Sequence, residues 1–212
     1  MIISHKHKFI YIKSNKTAGT STEILLESFC DKTDIVTPHR ENRKTDKPRN
    51  FQKYEFKNHR PAKFIKKKIG DEVFNSYFKF TNIRNPWDRE VSGYFWQVDL
   101  SRKNSLFAAN EVSFEGYLAM NIYNDYSRYY RINGIPSVND YIRYEHLVED
   151  THRILKKFNI DISDMNYTTA KTESRAQSKH IHYTEYYDNE TREIIAKKYA
   201  RDIEYFGYEF GG

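Results

Sequence analysis

The stretch YIKSNKTAGTSTEILLESF, residues 11–29, collects the side chains of an anion site in one turn: Lys16, Gly19 and the hydroxyls of Thr17, Thr20, Ser21 and Thr22. Backbone N–H groups from Thr17 through Ala18 to Ser21 can point inward at a bound oxyanion. The dipole of a helix that starts there adds partial positive charge, and Lys16 adds a full one. The order of the parts differs from the nucleotide-hydrolase loop, which ends in Gly-Lys-Ser/Thr; here the lysine precedes the glycine. Taken alone, the stretch is also compatible with an ordinary strand–helix turn carrying a Ser/Thr cap. A second stretch, FKFTNIRNPWDREVSGY at residues 78–94, offers Arg84, whose planar fork suits a phosphate. A salt bridge from Arg84 to Asp88 or Glu90 is the competing reading.

Both stretches need an element on each side. Phe9-Ile10-Tyr11-Ile12 reads as a buried strand running into the Lys16 turn, with a helix after it. Tyr77 to Ile83 is aromatic-rich and β-branched, a second strand. Asn85-Pro86-Trp87-Asp88 has the form of a helix start: Asn as cap, Pro at the first helical position, Asp three residues after the cap. Trp87, Val91, Tyr94 and Val98 then share one helical face. Residues 62–75 predict a helix with Gly70 as its stop, and Phe114–Met120 a further one. Tyr141 to Tyr144 predicts a third strand, followed by a helix through Leu147, Ile154, Leu155 and Phe158. A final helix is capped by Asp188 and ended by Gly207. Strands alternating with helices predict an α/β fold built on a parallel sheet, with ligands beyond the carboxyl ends of the strands.

The 212 residues suit one α/β domain over 1–212. One Cys gives no disulfide framework, no apolar stretch approaches a membrane helix, and MIISHKHKFIYIK lacks a signal-peptide core, so a cytoplasmic location is expected. The formal net charge of +6 admits nucleic acid, an anionic membrane or acidic small molecules and polymers as partners. The basic segments 39–68 and 171–182 contain no RNA-binding signature and no finger-type metal site, which leaves a basic phosphate-binding enzyme as the simpler explanation and no nucleic-acid partner. No carboxylate or His cluster has metal-ligand spacing, so no metal is expected.

Taken together, KTAGTS and RNPWDREVSGY resemble the sulfotransferase family, in particular its carbohydrate and small bacterial branch. The likeness continues in YIRYEHL (141–147) and YYDNETREIIAKKYARDIEYFGYEF (186–210), and is weakest across 99–139. The resemblance implies a three-layer sandwich with a central parallel sheet, like that of P-loop nucleotide hydrolases. It implies 3′-phosphoadenosine 5′-phosphosulfate (PAPS) as sulfuryl donor, with PAP as product. By position, Lys16, Thr17, Ala18, Gly19, Thr20 and Ser21 would hold the 5′-phosphosulfate, and Arg84 and Ser92 the 3′-phosphate. Arg175 and Lys179, in the basic loop KTESRAQSKHIHY (171–183), are further donor contacts of the same origin. The family's frequent base, a His at the head of the helix before the second strand, falls on His59 in KNHRPAKFIKKKIG; His180, His182 and Glu23 are the alternatives. Lys16 would stabilise the leaving phosphate during in-line displacement. The acceptor expected is a hydroxyl, of a carbohydrate or glycolipid, with the Tyr-rich 99–139 segment building its pocket. The competing functions are a PAP- or polyanion-binding protein of the same fold without turnover, a nucleotide-dependent kinase, and a nucleic-acid-binding module.

Overall fold

A computed structural model of the chain describes residues 1–38, 48–103, 113–121, 125–163 and 181–212, with the side chains of 101–103 set aside. Two compact units emerge: Met1–Ile83 with Tyr126–Ala170, and Arg84–Asp125 with Lys171–Gly212.

The first unit carries the sheet. Its strands are β1 (Ile2–Ser4), β2 (Phe9–Ile12), β3 (Ile35–Val36), β4 (Phe78–Ile83) and β7 (Asp140–Arg143), in the order β3-β1-β2-β4-β7. The helices are α1 (Gly19–Glu27), α2 (Ala62–Ile69), α3 (Asp71–Ser76) and α6 (Leu147–Leu155). A two-stranded ribbon, β5 (Arg131–Ile132) with β6 (Ile135–Pro136), completes it. β2 pairs in parallel with β4, and β4 with β7, each joined through helical crossovers. The expected all-parallel sheet is corrected at one strand: β1 runs antiparallel to β2 and β3. Only four residues separate β1 from β2, enough for a hairpin and too few for a crossover. Asp34 fastens that hairpin by accepting from the His5 and Lys6 N–H groups at 2.7 and 3.1 Å.

Why β2 lies at the centre follows from its sequence. Phe9, Ile10, Tyr11 and Ile12 are all fully buried, so both pleat faces are covered, which an alternating polar strand could not tolerate. Phe9, Tyr11 and Phe80 join Leu25 and Leu26 of α1 and Leu147, Ile154 and Leu155 of α6 in one apolar core. The second strand and the third begin within a residue of their expected starts. The helix that begins at Ala62 ends at Gly70, its expected stop, where φ is 87°, and a second short helix, α3, follows it.

In the second unit, α4 (Pro86–Lys103) and α5 (Phe114–Ala119) pack with α7 (Asn189–Lys198) and α8 (Ala200–Phe206). The Asn85 side chain accepts from the Trp87 N–H at 3.1 Å, as a helix cap should, and its amide donates to the Glu209 carbonyl at 2.8 Å. Asp188 caps α7 in a reciprocal box with Thr191. The expected single last helix is broken at Tyr199 and ends at left-handed Gly207.

Candidate active site

The Lys16 turn leaves β2 at Lys13 and enters α1 at Gly19. Lys16 and Ala18 both sit at φ 61°, in the left-handed region that non-glycine residues avoid, so the turn holds two strained residues in three. Backbone of that kind makes a concave row of N–H groups suited to an anion. Gly19 is required by its neighbours. A Cβ there would lie 2.9 Å from Lys13 Cγ and 3.2 Å from both the Ser14 carbonyl and Tyr11 Oη. The first turn of α1 contains no acidic residue to oppose an anion at its N-terminus.

The hydroxyls divide by task. Thr17 Oγ1 lies 2.8 Å from Ser14 Oγ, and Ser14 Oγ donates to the Asn82 carbonyl at 2.6 Å. Asn82, buried in β4, donates from its Nδ2 to the Thr17 carbonyl at 3.0 Å and to Thr22 Oγ1 at 2.9 Å. Thr17 and Thr22 therefore brace the turn with their side chains. Thr20 and Ser21 are buried at the opening of α1. On the strand side, Asn15 Nδ2 donates to Tyr129 Oη at 2.7 Å, and the exposed Arg128 donates to the same oxygen at 3.0 Å. Asn15, Asn82 and Tyr129 carried no signal in the sequence: a lone Asn in a strand and a Tyr among many look structural until the fold joins them to the turn.

His59 lies three residues before α2, with φ 59°, its Nδ1 3.3 Å from the Lys13 carbonyl. It therefore belongs to the same unit as Lys16. Burial first, and then the charges of Lys13 and the chain's amino group, lower its pKa from 6.5 to about 3. An imidazole donating through Nδ1 to a carbonyl carries its lone pair on Nε2. Glu23, the alternative base, is fully buried. Its Oε2 accepts from Lys13 Nζ at 2.5 Å, and its Oε1 from the Met1 amino group. Burial pushes this carboxyl up, but the amino group and Lys13 outweigh it and bring the pKa down to about 2. A carboxylate so held is a poor proton acceptor.

Arg84 and Ser92 belong to the second unit. Arg84 follows the last residue of β4 and is buried, its Nε donating to Asp88 Oδ2 at 2.7 Å. Asp88 thus holds the arginine fork rather than only capping α4. Ser92 is half-buried on α4. His182 is exposed, with Nδ1 2.8 Å from Thr184 Oγ1. Arg175, Lys179 and His180 lie outside the described residues. Of the tyrosines expected to line an acceptor pocket, Tyr117, Tyr126, Tyr129 and Tyr130 are buried. Among the described residues no group of three His, Cys, Asp or Glu side chains could hold a metal, and no helix is long and apolar enough to cross a membrane.

A turn of this build, opening a helix beside a parallel strand pair, is suited to holding an anion. The family profile described as "Sulfotransferase family" matches residues 1–209, so this chain belongs to the sulfotransferase family. Sulfuryl transfer is the chemistry of that family. An uncharacterized protein of Archaeoglobus fulgidus is 31% identical over 104 residues, covering 47% of this chain and 82% of that protein. No solved structure matches the chain.

Proposed function

We propose that this sulfotransferase takes its sulfuryl group from PAPS and delivers it to a hydroxyl, of a carbohydrate or glycolipid, on a three-layer, P-loop-like scaffold. The observation that carries the reading is the turn itself: Lys16 and Ala18 both left-handed, Gly19 in forced contact, and Asn82 bracing the loop from β4. Such a cradle fits the 5′-phosphosulfate, which when bound would supply the transferred group. The N–H groups of Thr17 to Ser21 would hold its oxygens, and the Lys16 ammonium would stabilise charge that grows on the leaving phosphate. His59 Nε2 would take the proton of the attacking hydroxyl. Arg84, oriented by Asp88, and Ser92 serve the 3′-phosphate by the family's pattern, as does Arg175. Neither the turn nor Lys16 supplies the Gly-Lys-Ser/Thr ending with which a kinase loop holds Mg²⁺, so turnover in EDTA is expected.

One observation favours a second reading. The lowered pKa of His59 makes it a weak base, which suits a PAP- or polyanion-binding protein without turnover. Transfer from labelled PAPS across a hydroxyl acceptor panel separates the two. For the donor itself, thermal unfolding decides: PAP should raise the melting temperature, and AMP, lacking the 3′-phosphate, much less. Equal shifts would remove Arg84 and Ser92 from the site, and no shift with PAP would remove the donor.

A further inference from the structure

The buried carboxylate of Glu23 has no task in the donor site just described, yet it is tied to everything around it. It projects from the second turn of α1 toward two amino groups, Lys13 Nζ at 2.5 Å and that of Met1, whose burial lowers its pKa from 8.0 to about 6. Thr37 Oγ1 lies 3.1 Å from its Oε1 and 2.8 Å from Asn58 Oδ1, next to His59. Lys13 is the residue that carries β2 into the turn. Its side chain runs along the start of α1, where its Cγ lies 2.9 Å from the place a Gly19 Cβ would occupy. Its backbone carbonyl is the hydrogen-bond partner of His59 Nδ1 at 3.3 Å. A single residue thus meets α1 through its side chain and His59 through its backbone.

We propose that Glu23 and Lys13 are positioning residues for His59. Glu23 pins the Lys13 side chain against α1, and the Lys13 carbonyl, so fixed, orients the His59 ring and selects the tautomer with its lone pair on Nε2. This deepens the reading of His59 as the base and rests on it for its catalytic meaning. Among the described residues, the charged groups that face His59 are the Lys13 and Met1 amino groups and the Glu23 carboxylate; the first two disfavour the imidazolium and the third favours it. As a stability device alone, a buried ion pair is replaceable. Substituting both partners by apolar residues of similar size is often neutral or stabilising, whereas removing one partner leaves a buried charge uncompensated.

That asymmetry supplies the experiment. The double variant Lys13→Met/Glu23→Leu, in the full chain, is compared with wild type in melting temperature, in ¹⁵N NMR of the His59 ring, and in hydrolysis of labelled PAPS with water as acceptor. The expected result is a folded protein whose neutral His59 populates both tautomers. Its turnover should be lower by roughly 10–100-fold, the scale of a small misplacement of a reacting group. A double variant with wild-type tautomer and turnover overturns the proposal. Lys13→Met alone, which leaves Glu23 paired with the amino group, repeats the tautomer measurement should the double variant fail to fold; an unchanged tautomer there overturns it equally. If His59→Ala keeps wild-type turnover while the tautomer shift is seen in the Lys13 variants, the base assignment falls and the positioning stands.

Discussion

At the residue scale, two cations three residues apart have opposite fates. Lys13 is buried and neutralised by Glu23, whereas Lys16 sits on the strained turn where an anion would need it. Lys16→Ala should therefore weaken PAP binding and slow transfer strongly, because it removes charge aimed at oxygens that become more negative in the transition state. His59→Ala should leave PAP affinity nearly unchanged and lower turnover by roughly 10²–10⁴-fold, the range of a positioned general base. Titration calorimetry with PAP and single-turnover rates check the split; a parallel loss of PAP affinity in both would remove the division of labour. The pH dependence of stability follows from the same residue. The folded pKa of His59 is lowered from 6.5 to about 3, so between those values the unfolded chain binds a proton that the folded chain does not. The contribution of His59 is fully present above pH 6.5 and is lost as pH falls toward 3. Glu23, lowered from 4.5 to about 2, contributes a further loss between those values, of the same sign. His59→Gln should flatten the loss between pH 6.5 and 4.5 in urea titrations, and an unchanged slope would deny His59 its place in it.

At the element scale, the turn depends on packing that the sequence does not announce. Gly19→Ala forces a methyl to 2.9 Å from Lys13 Cγ and 3.2 Å from the Ser14 backbone carbonyl and the hydroxyl of the fully buried Tyr11. A destabilisation of roughly 1–3 kcal/mol, as for other overpacked sites, is expected from denaturant midpoints. Asn82→Ala removes two hydrogen bonds and strands the buried Thr17 carbonyl, at about 1–3 kcal/mol per unsatisfied group. It should weaken PAP as well, since Thr17 belongs to the proposed cradle; PAP affinity equal to wild type would mean that the brace serves stability alone. These positions also show how far the sequence could be read. β2, β4, β7 and the caps at Asn85 and Asp188 were legible, because apolar runs and capping residues are local signals. β1 and β3, three and two residues long, fall below any periodicity. So does the antiparallel turn of the sheet that they impose. The candidate residues Lys16 to Ser21 stand out by their local order, whereas Asn82, Asn15 and Tyr129 join them only when β4 and the segment after residue 126 close around the turn.

At the scale of the whole molecule, the charge of +6 invites a polyanion, and the lysines of α2 are the obvious place to seek one. The structure lowers that expectation. Lys66 pairs with Asp71 at 3.2 Å, and Lys68 pairs with Glu55. Such surface pairs add little stability, but they halve the positive charge that the run would otherwise show to a phosphate backbone. Nucleic-acid affinity built on the remaining cations would be of the counterion-release kind, which falls steeply with the salt concentration. On the proposed reading PAP is held by the backbone of the turn and not by long-range charge alone, so it should keep most of its affinity as salt rises. The measurement is a pair of titrations at about 50 and 200 mM salt, one with PAP and one with duplex DNA. DNA binding is expected to be weak at the lower concentration and to disappear at the higher, while the PAP-induced rise in melting temperature persists. DNA affinity that survives the higher salt, with a PAP effect that does not, would replace the donor site with a nucleic-acid surface as the function of this fold.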